Sequence, residues 1–210
     1  MKIIVSCNRR PSRSSKQQMA SNTDQIYIDK VLNGDSSAYK MLVDKHKDMA
    51  FSIALKIVRI REDAEELTQD AFIKAYQKLS SFRRDSKFST WLYRIVYNAA
   101  ISHTRKRRLE STELTPGTIE NYSVDEISES MGRMDAEQQK KLVNELIEQL
   151  PALEFTLINL YYRKELSIDE ISSITDLSAS NVKVKLYRIR KEMYRDLQKE
   201  ANKEFNKIYS

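Results

Sequence analysis

Between residues 180 and 188 the chain carries Ser180, Asn181, Lys183, Val184, Lys185, Tyr187 and Arg188, a set of side chains that can work on DNA. Asn can make paired hydrogen bonds with adenine, and Arg or Lys with guanine, from the major groove. Val182, Leu186, Ile189 and Met193 recur among them at helical spacing, so burying that apolar face turns the polar set outward. Ser180, Asn181, Lys183, Val184, Lys185 and Arg188 are therefore expected to meet DNA. Lys185, with Arg190 and Lys191, is better placed for phosphate contacts, which position a protein without reading sequence.

Such chemistry requires a helix presented by its N-terminal end. Just upstream, Ser167-Ile168-Asp169-Glu170 has the spacing of a capping box, in which Ser and Glu satisfy each other's backbone amides. Ile168, Ile171 and Ile174 would face inward, and Asp176-Leu177-Ser178 makes a tight break. A short capped helix, a tight turn and a longer basic helix describe a helix-turn-helix. A helical hairpin with a solvated basic face would explain the charge alone; cap, turn and apolar spacing together favour DNA.

The same periodicity extends upstream. Leu142, Leu146 and Leu150 predict one helix, and Pro151 can sit in the first turn of the next, continued by Leu153, Leu157, Leu160 and Tyr161. In the N-terminal half a short helix should end at Asn33-Gly34, with Asp35 capping its successor. Tyr39, Leu42, Val43, His46, Ala50, Ile53 and Ile57 mark one buried face, which makes His46 a satisfied core histidine. A third helix should start near Asp63, with Asp63, Glu65 and Glu66 in its electropositive first turn. Ala64, Leu67, Ala71 and Ala75 form its stripe, with Phe72, Tyr76 and Leu79 beside it. A fourth carries Trp91, Leu92, Ile95, Val96 and Ala99 and runs into Arg105-Lys106-Arg107-Arg108; Trp91 fits the apolar stripe. Between the blocks, Glu110, Glu113, Glu120, Asp125, Glu126, Glu129 and Asp135 face a single Arg133, so residues 109–135 read as a flexible acidic linker.

Composition agrees with an all-α chain of two small helical domains. Only three glycines and three prolines occur in 210 residues, too few turn residues for a many-stranded fold. A net charge of +6 suits an anionic partner without identifying one. The single cysteine, Cys7, cannot make an internal disulfide, and His46 and His103 lie far apart with no cysteine near, so no metal or other cofactor is expected. No phosphate-binding glycine loop, nucleophile motif or carboxylate constellation is present, so no reaction is assigned. No apolar run spans a bilayer, and the chain is expected in the cytoplasm without membrane insertion. Residues 1–23 are polar, basic and aperiodic and read as a disordered extension. Met19 would serve equally well as a start, so residues 1–18 are expected to stem from a mis-assigned start codon; N-terminal sequencing of the native protein would settle this.

Asp63-Ala64-Glu65-Glu66-Leu67-Thr68-Gln69-Asp70-Ala71-Phe72-Ile73-Lys74-Ala75-Tyr76 resembles region 2.2 of the sigma-70 family of RNA polymerase sigma factors. Phe88-Ser89-Thr90-Trp91-Leu92-Tyr93-Arg94-Ile95 resembles region 2.3, and Arg105 to Arg108 the end of region 2.4. Leu150-Pro151, Leu166 to Ile171 and Asn181 to Leu186 resemble region 4. The likeness covers nearly all of residues 24–197, in family order, and lacks the larger members' N-terminal inhibitory region and middle domain, so the small extracytoplasmic-function (ECF) group is implied. It implies region 2 over 24–108, region 4 over 136–200 and a tail over 201–210. It implies core polymerase binding by Asp63, Glu66, Gln69, Asp70 and Lys74. The loop Phe82 to Phe88 resembles the family's specificity loop, which takes a flipped base of the −10 element. This implies −10 contacts by Arg83, Arg84, Ser86, Lys87, Phe88, Tyr97, Asn98, Arg105 and Arg107, with Tyr93 and His103 on the same helix. The −35 element would fall to the helix-turn-helix residues above. Asp70 stands where Glu is common, Tyr76 where Trp is, Ser180 where Gly is and Asn181 where Thr is, so −35 preference can differ.

The implied partners are bacterial core RNA polymerase, promoter DNA and an anti-sigma factor. Two rivals make other demands. A stand-alone helix-turn-helix regulator would bind a palindrome as a dimer, and a helical interaction protein would hold an acidic partner with no sequence preference. Neither explains two family blocks in order.

Overall fold

The structure is a computed structural model that describes residues 15–109 and 136–208, the outermost of these through their backbone alone. The linker residues 110–135 and the first 14 residues lie outside the described residues. The described residues form eight α-helices: α1 (Ser15–Leu32), α2 (Tyr39–Val58), α3 (Arg61–Gln77), α4 (Phe88–Leu109), α5 (Ala136–Gln149), α6 (Ala152–Ile158), α7 (Ile168–Thr175) and α8 (Ala179–Ile208). No strand occurs among the described residues.

Helix α1 starts at Ser15, so residues 15–23 continue a helix and are not part of a disordered extension. Its sequence explains this: after Pro11 no Pro or Gly interrupts until Gly34. The helix ends as expected at Asn33-Gly34. Gly34 takes φ +100°, and the Asp35 amide reaches back to the Lys30 carbonyl at 2.9 Å while Gly34 reaches Val31 at 3.1 Å. These are the two bonds of a Schellman motif, and the positive φ favours glycine. Asp35 precedes a short 3-10 turn, Ser36–Ala38, and its carboxylate accepts from the Ser37 hydroxyl at 2.5 Å.

Helices α1 to α4 bury Ile28, Leu42, Ala50, Ile53, Ala64, Ala75, Leu92, Val96 and Ala100 completely. The alanine stripe of α3 (Ala64, Ala71, Ala75) carries only methyl side chains, too small to hold neighbours away, so α2 and α4 both pack closely on it. In the C-terminal block, α5 to α8 enclose Phe155, Leu157, Ile158, Leu160, Ile171, Ile174, Val182, Leu186 and Ile189. Helix α6 passes into a π-helical turn, Asn159–Arg163, and α8 continues to Ile208, beyond the expected end of the block at residue 200.

The capping box forms as read. Ser167 Oγ accepts from the Glu170 amide at 3.2 Å, and Glu170 Oε2 accepts from the Ser167 amide at 2.8 Å. Ser167→Ala removes one of these bonds and is expected to lower unfolding stability by about 1 kcal/mol, seen as a lower urea midpoint with unchanged slope.

Candidate nucleic-acid and polymerase interfaces

The turn before α8 is built from local hydrogen bonds. Asp176 closes α7 in the left-handed conformation (φ 56°), which Asp tolerates better than most side chains. Ser172 Oγ donates to the Leu177 carbonyl at 2.6 Å, and Ser178 Oγ accepts from the Asn181 amide at 3.2 Å, capping α8. Val182, Leu186, Ile189 and Met193 are buried, as their spacing requires. Ser180, Asn181, Lys183, Val184, Tyr187 and Arg188 consequently stand exposed on the opposite face, with Lys185 half-buried beside them. All six residues expected to meet DNA thus lie on one helix surface. Tyr187, 49% exposed, belongs to that surface as well. Arg190 is less free than its sequence position suggests, because its Nη1 donates to the Tyr162 hydroxyl at 3.3 Å.

On α3, Glu66, Gln69, Asp70 and Lys74 are exposed along one face, continued toward the N-terminus by half-buried Asp63, whose carboxylate lies 3.8 Å from His103 Nε2. The face is less polar than its sequence reading. Ile73 and Tyr76 stand 55% and 43% exposed within it, and Tyr76 meets Tyr39 edge-on with 5.0 Å between ring centroids. Their helical spacing with Gln69 and Asp70 was the available signal; Tyr76 was expected beside the buried stripe.

The loop between α3 and α4 begins with a 3-10 turn, Leu79–Ser81, and carries Arg83, Arg84 and Ser86 at the surface. Arg84 takes φ 62° and pairs with Asp29 of α1. Asn98 and Arg105 are exposed on α4; the side chain of Arg107 lies outside the described residues. Phe88 and Tyr97 do not reach the surface. Phe88 is 1% exposed, packed against Phe82, Trp91 and His46, and Tyr97 is 8% exposed. The reason is registry: both lie on the apolar face of α4 with Leu92, Val96 and Ala100. Tyr93, on the same helix, is fully buried. Trp91 is half-buried and stacks on Phe82 with 5.1 Å between centroids, a place in the packing as its spacing implied.

Behind this surface lies a polar cluster. His46 is 5% exposed, with Nε2 3.2 Å from Asp24 Oδ2 and Nδ1 3.2 Å from the Tyr93 hydroxyl. Lys45 Nζ donates to Asp24 Oδ1 at 2.5 Å. Burial alone would raise the Asp24 pKa, but the hydrogen bonds and charges of His46 and Lys45 prevail and hold it below the usual carboxylate value. Burial drives the Tyr93 hydroxyl upward, so it keeps its proton.

The two blocks touch directly: α4 packs on α7, and α2 on α6. Lys87 Nζ lies 3.1 Å from Glu170 Oε1, and Thr90 Oγ1 donates to the same oxygen at 3.3 Å. Arg94 pairs with Asp176 at 3.3 Å. On the second contact, Lys56 donates to the Glu148 carbonyl and sits 4.9 Å from the Phe155 ring centroid. Burial tends to raise Glu170, but the Ser167 amide and Lys87 hold its carboxyl below the ordinary value.

The chain matches two family descriptions, Sigma-70 region 2 over residues 42–110 and Sigma-70, region 4 over residues 140–193. It is 34% identical over 174 residues to the ECF RNA polymerase sigma-E factor of Escherichia coli strain K12, covering 80% of this chain and 91% of that one. It is 30% identical over 181 residues to the RNA polymerase sigma-H factor of Pseudomonas aeruginosa, covering 83% and 94%. Among solved structures it is similar to the sigma factor RpoE of Bartonella quintana, in complex with the anti-sigma factor NepR, with TM-score 0.52 and 24% identity over 77% of this chain and 96% of that one. It is also similar to CnrH in complex with the cytosolic domain of CnrY, with TM-score 0.50 and 20% identity over 85% and 98%.

Proposed function

This chain belongs to the sigma-70 family of RNA polymerase sigma factors, in the ECF group, and from that premise we propose how its helices divide the work of promoter recognition. The protein directs RNA polymerase to promoters. The acidic and apolar face of α3 (Asp63, Glu66, Gln69, Asp70, Lys74, joined by Ile73 and Tyr76) docks on core polymerase. Apolar side chains supply buried area there, and the charges set register. Arg83, Arg84, Ser86, Lys87, Asn98, Arg105 and Arg107 engage the −10 element, where melted DNA offers a flexible phosphate backbone and unstacked bases. Phe88 and Tyr97 support that surface from within. Ser180, Asn181, Lys183, Val184, Lys185 and Arg188 read the −35 element.

The observation that carries this reading is that both family blocks occur in order on one chain, and the second presents Ser180, Asn181, Lys183, Val184 and Arg188 exposed, with Lys185 half-buried beside them, on the helix that follows a capped turn. Two modest contacts joined by residues 109–135 act through raised effective concentration, so neither block needs tight binding alone. Bond making in RNA synthesis belongs to the core enzyme, and this chain supplies recognition in the cytoplasm, where the promoter is. No described helix is long and apolar enough to cross a membrane. An anti-sigma factor completes the proposed partner set, on the strength of family membership.

Reconstituted transcription tests the reading. Core polymerase with this chain is expected to initiate at discrete start sites on a genomic template library that core alone does not use. Tight palindrome binding by the purified chain, with no gain in initiation, would establish the stand-alone regulator instead.

A further inference from the structure

We propose that Val184 and Tyr187 of α8 form an apolar seat for the 5-methyl group of a thymine in the −35 element. The inference deepens the assignment of α8 to that element and rests on it. Three observations carry it. First, the large apolar side chains that stand exposed among the described residues of the C-terminal block are these two, at 44% and 49% exposure. Neither belongs to the core or packs against it. Second, they are one helical turn apart, which places their Cβ atoms about 5–6 Å from each other, close enough for one methyl group to touch both. Apolar residues scattered singly over a surface need no explanation, whereas an adjacent pair on one face does. Third, their neighbours choose the occupant. Ser180, Asn181, Lys183 and Arg188 are exposed within one turn of the pair, and no acidic residue occurs between Ala179 and Lys191. Duplex DNA satisfies such a face, because it offers phosphates to the cations on either side of a groove lined by base edges.

The thymine 5-methyl is the apolar feature of the base-pair edges in the major groove. The γ-methyls of Val184 cannot hydrogen-bond to any base, so they discriminate by contact alone. A cytosine at that position lacks the methyl and brings its N4 donor toward an apolar wall, where it goes unpaired. Asn181 lies one turn before Val184 and is the residue type that pairs with adenine. Together the two side chains fit neighbouring A·T pairs, one read through its adenine and the other through its thymine. Burial of one methyl group corresponds to about fourfold in binding, a modest increment that adds to those of Lys183 and Arg188.

The test uses holoenzyme assembled from bacterial core polymerase and the full chain. A −35 element is selected from a randomised promoter library, and each thymine in it is then replaced singly by deoxyuridine, which keeps base pairing and removes only the methyl. Competition binding is expected to show a loss of about fourfold at one thymine for the wild-type chain. Val184→Ala and Tyr187→Ala should bind the thymine duplex more weakly and lose most of that penalty at the same position, the signature of a direct pairing between side chain and methyl. The wild-type deoxyuridine series stands independently of how either variant folds. A selected element without thymine, a wild-type series with no deoxyuridine penalty, or an undiminished penalty in V184A would overturn the seat. So would loss of core association in V184A, which would give the pair to polymerase docking. Failure of the underlying assignment looks different: K183A/R188A holoenzyme would then select the same −35 bases as wild type.

Discussion

Asp24→Ala lowers the stability of the N-terminal bundle by about 3 kcal/mol at neutral pH, in the range for removing one member of a buried charged pair. Asp24 is 4% exposed and joins His46 and Lys45, while Tyr93 meets the other nitrogen of the His46 ring. Without the carboxylate, His46 Nε2 has lost its acceptor in the dry interior. Lys45 can turn to water, since its side chain is 32% exposed, which keeps the cost at the lower end. Asp24→Asn preserves an acceptor for His46 and loses less. The pH dependence follows from the depressed Asp24 pKa. Its contribution is fully present above the unfolded carboxylate value, near pH 4, and fades as pH falls through the lower folded value. Urea midpoints for wild type and D24A should therefore differ most at neutral pH and converge in acid. A difference that persists unchanged at low pH would mean that packing, not charge, holds the cluster.

That cluster also marks where sequence reading stops. The capping box at Ser167, the glycine stop at Gly34 and the inward stripe of α8 are set by neighbours three or four residues apart, and all three were legible. His46 was legible as a core residue because its face was apolar; its partners were not, since Asp24 and Tyr93 are 22 and 47 residues away. An aromatic side chain suits base stacking at a surface as well as packing in an interior, so Phe88 and Tyr97 were read as −10 contacts when the registry of α4 sent them in. The contact between blocks was equally hidden. Glu170 had a sufficient local explanation in its cap, and nothing in its spacing announced a lysine 83 residues upstream.

Lys183→Ala/Arg188→Ala is expected to reduce initiation at −35-dependent promoters by roughly thirtyfold or more, while association with core polymerase stays as in wild type. Each lost base contact costs about 1–3 kcal/mol, so two at the lower bound reach that factor. Both residues are exposed and outside the apolar stripe of α8, which leaves folding unchanged within about 0.5 kcal/mol. Loss of affinity through phosphate contacts alone would look different: it would weaken all promoters alike and flatten the salt dependence. Lys185→Ala serves as that comparison, since Lys185 is half-buried at the edge of the reading face, near Glu154. The deciding measurement is a promoter series with substituted −35 bases. If K183A/R188A loses discrimination among them while K185A loses only overall strength, the outward face of α8 reads sequence. An equal loss of core association in a pull-down would show instead that the helix-turn-helix contributes to docking, and the division of labour between the two blocks would fall with it.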